Sequence, residues 1–153
     1  HLASRPHLRL DFDAHCCLVD DDQMALPYVA DINLPRQGYE VPSKGVIQCT
    51  IFNPRHTPMK TFLVPYDLTD MPPNTKTFLR QRTVDVSTSD STQLLKYAIY
   101  LKFCSPRKKR YFIYKYVRVV FPFRKPDDKQ EMQVLYDSPN NPKYFDINNS
   151  TPT

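Results

Sequence analysis

LLKYAIYLKFCSPRKKRYFIYKYVRVVFPFRK, residues 94–125, holds two long alternating runs on either side of a short basic one. In the first run, 94–104, Leu95, Tyr97, Ile99, Leu101 and Phe103 take the odd positions, and Lys96, Ala98, Tyr100 and Lys102 the even ones. A period of two is what a strand with one buried face requires. The second run, 110–121, is mostly β-branched and aromatic, the composition a pleated strand favours. Between them, residues 105–109 (SPRKK) are expected to turn, because Pro106 fixes its own φ and three successive cations repel one another.

Pairing across that turn predicts Phe103 opposite Tyr111 and Leu101 opposite Ile113, odd against odd. A slip of one residue would mix the two faces, so the pattern sets the register modulo two. The odd face is then apolar except at Lys115. The even face carries Lys96, Tyr100, Lys102, Arg110, Phe112, Tyr114, Tyr116 and Arg118, a basic surface with aromatic rings interleaved.

The rest of the chain is read around this hairpin. Its 153 residues suit one domain with a proper core. The 15 prolines and only 2 glycines argue against long helices and for strands joined by rigid loops. No apolar run is long enough to span a membrane. The chain begins at His1 without a signal sequence and reads as a domain taken from something longer. Residues 96–125 contain ten of the 21 Lys and Arg and no Asp or Glu; 11 basic and all 16 acidic residues lie elsewhere. Such asymmetry suits an anionic partner, and the acidic stretch with Asp11, Asp13, Asp20, Asp21 and Asp22 could screen the basic one.

Further strands are expected at 8–12, 45–52, 59–65, 77–86 and 130–136, with 45–65 forming a hairpin about Asn53-Pro54. Residues 24–36 read as a mixed connection broken by Pro27 and Pro35, and 67–75 as a loop in which Pro72-Pro73 forbids a helix. About seven or eight strands and no helix predict an all-β fold, an antiparallel β-sandwich over 1–137. An immunoglobulin-like arrangement is one form it could take, although the chain has no Trp for such a core. Residues 138–153 read as a polar, partly irregular tail, with Tyr144 and Phe145 docked on the body. Cys16, Cys17, Cys49 and Cys104 are expected to be reduced thiols of an intracellular protein.

Within 38–82, the stretches YEVPSKGVIQ (39–48), FNP (52–54), FLVPYDLTDMP (62–72) and KTFLRQ (76–81) resemble the conserved region of the Atos (Atossa) family. Residues 95–101, 118–120 and 142–145 resemble that family's C-terminal region, which carries the description chromosome segregation during meiosis. The matching blocks cover about two thirds of the chain. The resemblance implies a nuclear protein linked to transcriptional regulation, and it brings no catalytic residues.

Two binding functions are expected. In the first, DNA meets the basic-aromatic hairpin: Lys96, Lys102, Arg107, Lys108, Lys109, Arg110 and Arg118 neutralise phosphates, and rings such as Tyr100 and Tyr114 offer stacking surfaces. The competing plain reading is a sandwich face whose cations are simply solvated. In the second, a nuclear protein partner docks on a rigid loop containing Asp67, Asp70, Met71, Pro72, Pro73, Asn74 and Lys76. Residues 106–110, PRKKR, also look like a nuclear localisation signal. Asp67 and Asp70 with Arg80 and Arg82 are expected to form an ion-pair network that pins the loop. Adjacent Cys16-Cys17 near His7 and His15 lacks the paired spacing of a zinc site, so no metal is expected. No phosphate-binding loop or nucleophile motif is present, so neither enzyme activity, cofactor nor small-molecule substrate is expected. Ser105, before Pro106, is a candidate phosphorylation site beside the basic run.

Overall fold

The computed structural model describes residues 8–16, 28–87, 93–122 and 129–149. Its elements are β1 (His15–Cys16), β2 (Tyr28–Asn33), β3 (Tyr39–Val41), β4 (Lys44–Phe52), β5 (Pro58–Asp67), β6 (Thr75–Asp85), β7 (Leu94–Arg107), β8 (Arg110–Phe121), β9 (Met132–Asp137) and β10 (Phe145–Asp146). The fold is all-β and antiparallel, two layers of very unequal width. Eight strands form one sheet, and β4 and β5 pair as a separate hairpin. This division is far from the near-equal one of an immunoglobulin sandwich.

The β7–β8 pair forms the spine of the large sheet. On one side β8 pairs with β2 and β3 in succession; on the other β7 pairs with β6, which pairs with β9 and β10. Alternation puts Ile99, Leu101 and Phe103 of β7 and Tyr111, Ile113, Val117, Val119 and Phe121 of β8 on one buried face. The small hairpin covers them with Phe62, Val64 and Tyr66 of β5 and Ile51 of β4. Tyr66 stacks on Phe103 with ring centroids 5.4 Å apart, and Phe62 meets Tyr97 edge-on at 6.3 Å. Phe62, Val64, Ile99, Leu101, Phe103 and Val119 are each at most 1% exposed. Burial of each such side chain is worth about 1.5–3 kcal/mol, which makes this interlayer seam the main source of stability. Gln81 crosses the seam: its Nε2 donates to the Leu63 carbonyl at 2.8 Å.

The hairpin keeps the expected parity but moves its register. Phe103 faces Ile113, and Leu101 faces Val117. The first shift arises because β7 runs on to Arg107, leaving only Lys108 and Lys109 to turn, with Lys109 at φ 60°. The second arises at Lys115, which has φ 66° and opens a β-bulge. This disposes of the one cation on the apolar face. The bulge throws Lys115 to solvent, and its carbonyl accepts the Leu34 amide at 2.8 Å.

Two further differences concern the first third of the chain. Residues 28–33, read as a connection, form β2, whose alternation buries Ala30 and Ile32 against β8. Only six residues lie in that strand, so two flanking prolines mask its period. Residues 8–12, expected as a strand, join no β-ladder among the described residues, although Leu10 and Phe12 pack on the core. His7, Cys17 and the acidic run at 20–22 lie outside the described residues. Cys49 and Cys104 are free thiols, and burial pushes Cys104 up to about 11. No helix among the described residues is long and apolar enough to cross a membrane.

Candidate functional site

The even face of the β7–β8 hairpin forms the outer surface of the large sheet. Among the described residues, no element is packed over it: the β4–β5 layer lies on the opposite face. Register aligns its side chains in rows across the strands. One row runs Asp31 (β2), Arg118 (β8), Tyr100 (β7), Arg80 (β6) and Asp137 (β9), each directly opposite the next. Arg118 grips Asp31 through Nε at 2.7 Å and Nη2 at 3.2 Å. Asp137 accepts from Arg80 Nε at 3.0 Å and Arg82 Nε at 2.7 Å. The Arg118 hydrogen bond holds Asp31 below the usual carboxylate range, and the Arg82 hydrogen bond does the same for Asp137. These pairs are solvent-exposed, so each is worth only about 0.2–1 kcal/mol. Their main effect is to fix the guanidinium planes.

Aromatic rings fill the space between the charges. Phe78 stacks on Tyr100 with centroids 5.5 Å apart and an interplanar angle of 28°. Tyr116 lies under Lys102 Nζ at 4.8 Å and beside the Arg118 guanidinium at 5.3 Å. Arg110 covers Phe112 at 5.7 Å and pairs with Glu40. Burial pushes the Tyr114 hydroxyl up to about 12 and raises Tyr100, so both stay neutral donors at ordinary pH.

The nine residues assigned to nucleic acid from sequence therefore fall into distinct places. Tyr100, Lys102 and Arg118 sit together mid-sheet, with Tyr114 next to the Lys115 bulge. Lys96 lies apart, where the β6–β7 register shifts opposite Thr83 and Val84. Arg107, Lys108, Lys109 and Arg110 form the tip of the hairpin, which carries a recess of about 260 Å³ lined by Pro106, Arg107, Arg110 and Phe112. Tip and central row are seven residues apart along β7, about 23 Å at strand rise. Among the described residues, no carboxylate pairs with Arg107, Lys108, Lys109 or Lys102 in an ion pair. Phe78, Asp31, Glu40 and Asp137 were not legible as site residues. Their only signal was the shared even parity of Phe78, Arg80 and Arg82, and it acquires meaning only when β6 is known to neighbour β7.

The 67–76 loop is built differently from the expected network. Asp67 caps Thr69 at 3.0 Å and 2.7 Å, and Asp70 accepts from the Tyr144 hydroxyl and Lys143. Arg80 and Arg82 belong to Asp137 instead. Met71 is buried at 5% exposure, and Lys76 is buried with its Nζ donating to the Asn149 carbonyl. Asp67, Thr69, Asp70, Pro72, Pro73 and Asn74 are exposed. Residues 143–149 strap the loop down: Thr77 Oγ1 donates to the Lys143 carbonyl at 2.9 Å and the Ile147 amide to the Asn74 carbonyl at 3.1 Å. Ser105 is fully buried and its hydroxyl donates to the Arg107 carbonyl, so it is closed to a kinase in this fold.

Residues 94–147, the spine and the C-terminal strap together, match the family model described as chromosome segregation during meiosis. Atos homolog protein A of Mus musculus is 35% identical over 158 residues, covering 90% of this chain and 15% of that protein. Atos homolog protein B of Rattus norvegicus is 39% identical over 127 residues, 76% of this chain and 24% of that protein. Protein Atossa of Drosophila melanogaster is 33% identical over 131 residues, 67% of this chain and 10% of that protein. The chain thus spans less than a quarter of the length of these relatives. No solved structure matches it.

Proposed function

The chain belongs to the Atos family, and from that premise we propose that it is a non-catalytic binding module of a nuclear regulatory protein that holds DNA through the β7–β8 hairpin. One observation carries the reading. The hairpin has no acidic residue, and among the described residues its tip presents Arg107, Lys108 and Lys109 without carboxylate partners and no element covers its outer face. Cations in that state are free to replace counterions on a phosphate backbone. The meiotic chromosome-segregation description of the matching family model agrees with a role at chromosomes.

The test is fluorescence anisotropy of labelled DNA, offered both as duplex and as single strand, titrated with the 153-residue chain across a salt series. Binding that weakens log-linearly with salt and is lost in Lys108→Glu/Lys109→Glu supports the reading. No binding of either form at low salt sinks it. The second reading is a protein partner on the 67–76 loop, and its support is narrower. Met71 and Lys76 are buried, and the exposed Asp67 and Asp70 are already engaged by Thr69 and by the strap, so Pro72, Pro73 and Asn74 are the exposed residues most open to a partner.

A further inference from the structure

We infer that the outer sheet face takes a single-stranded nucleic acid, with unstacked bases laid on Phe78, Tyr100 and Tyr116 and the phosphate backbone led to the Arg107–Lys109 tip. This inference rests on the nucleic-acid reading and narrows it.

Geometry separates a single strand from a duplex. A major groove is about 12 Å wide and admits a helix or a two-stranded ribbon. The row from Asp31 to Asp137 crosses five strands, about 19 Å at the usual interstrand spacing. A face of that width cannot enter the groove, so its rings cannot touch bases paired inside a duplex. Unpaired bases can splay onto them, because every base has a ring face to offer.

Charge placement agrees. Arg118, Arg80, Arg82 and Arg110 are paired with Asp31, Asp137 and Glu40, Asp137 serving two of them, so they act mainly as oriented planes and donors beside the rings and add one net positive charge. The cations along the path from the rings to the tip that make no ion pair with a carboxylate among the described residues are Lys102 beside Tyr116 and Arg107, Lys108 and Lys109 at the tip. Four phosphate contacts on a single strand give a log–log salt slope of about −2.8. The Phe78–Tyr100 stack is already formed, so its rings lose little freedom when a base adds to it.

The probes are a labelled 15-nucleotide oligothymidylate, an oligouridylate of equal length and a duplex of equal length, each bound to the whole chain at matched salt. The single strands should bind at least tenfold tighter than the duplex, with a slope near −2.8. The two single-stranded arms distinguish DNA from RNA as the source. Tyr100→Leu and Phe78→Leu keep apolar bulk and remove the ring. Each should weaken single-strand binding at least fivefold with the slope unchanged. Lys108→Gln/Lys109→Gln should flatten the slope to about −1.4. Circular dichroism confirms that each variant is folded, and the two ring variants stand in for one another. A duplex bound equally or more tightly overturns the inference and leaves the DNA reading standing. So does single-strand binding indifferent to both ring variants. Failure of all three probes at low salt removes both, and points to a protein on this face.

Discussion

Replacing Lys115 by glycine should leave the protein as stable or slightly more stable, the reverse of what glycine does inside an ordinary strand. Lys115 sits between buried Ile113 and buried Val117, yet its φ is 66° and its side chain is exposed. The left-handed region costs an L-residue with a Cβ roughly 1–2 kcal/mol. Glycine removes that strain but gives the unfolded chain more freedom to lose, about 0.5–1 kcal/mol. It also removes the Lys115 Nζ contact with the Tyr114 ring at 5.6 Å, an exposed interaction worth about 0.5 kcal/mol. The balance runs from about 0.5 kcal/mol against glycine to about 1 kcal/mol in its favour, centred slightly on the stabilising side. Lys115→Val moves the other way, since a β-branched residue tolerates positive φ least, and should be about 2 kcal/mol or more below glycine. Urea denaturation of the three proteins reads this directly. With an m-value of about 1–3 kcal/mol/M, a 2 kcal/mol gap separates the glycine and valine midpoints by roughly 0.7–2 M. If glycine destabilises by 1 kcal/mol while valine is neutral, Lys115 lies in a regular strand and the bulge reasoning is wrong.

Phe62→Ala opens a cavity in the seam between the layers, and should lower unfolding free energy by about 3–5 kcal/mol in the same assay. Gly38→Ala places a Cβ 2.7 Å from the Ile113 carbonyl oxygen at a φ of 74°, so it should destabilise by about 2 kcal/mol; a neutral result would mean that β3 is not seated on β8 as described. Ser105→Glu buries an unpaired carboxylate where no water reaches, and circular dichroism should show loss of the fold; a folded, stable variant would show that this end of β7 opens. For Asp137, folding lowers the carboxyl pKa through Arg82 and then Arg80, so its contribution is complete above the ordinary value of about 3.9 and is lost as pH falls through the lowered folded value. Stability measured from pH 6 to pH 2 should therefore fall less steeply in Asp137→Asn, by under about 1 kcal/mol for so exposed a group; parallel curves would refute the pairing.

The central hairpin was legible because its pattern is strong and local. Odd positions are apolar from Leu95 to Phe103 and, Lys115 apart, from Tyr111 to Phe121, and alternation alone assigns them one face. The 45–65 hairpin and β6 were legible for the same reason. β2 was missed because six residues between prolines carry too short a period. The stretch at 8–12 reads as a strand because Leu8, Leu10 and Phe12 alternate, although alternation reports burial of one side and says nothing of a backbone partner. Of the site, the even face of β7 and β8 could be read, but its third aromatic strand could not.

By itself the sequence determined that the chain is all-β and antiparallel, which face of the spine is buried, and where the positive charge gathers. Those properties follow from side-chain period and composition, which are local. Tertiary structure alone decided that Arg118, Arg80 and Arg82 are answered by Asp31 and Asp137, residues 87, 57 and 55 positions away along the chain. It also decided that Phe78 joins Tyr100, that Lys115 escapes through a bulge, and that Tyr144 ties down the 67–76 loop. Each depends on which strand lies beside which and at what register. That choice is made by the whole core at once, when the β4–β5 layer closes over the spine.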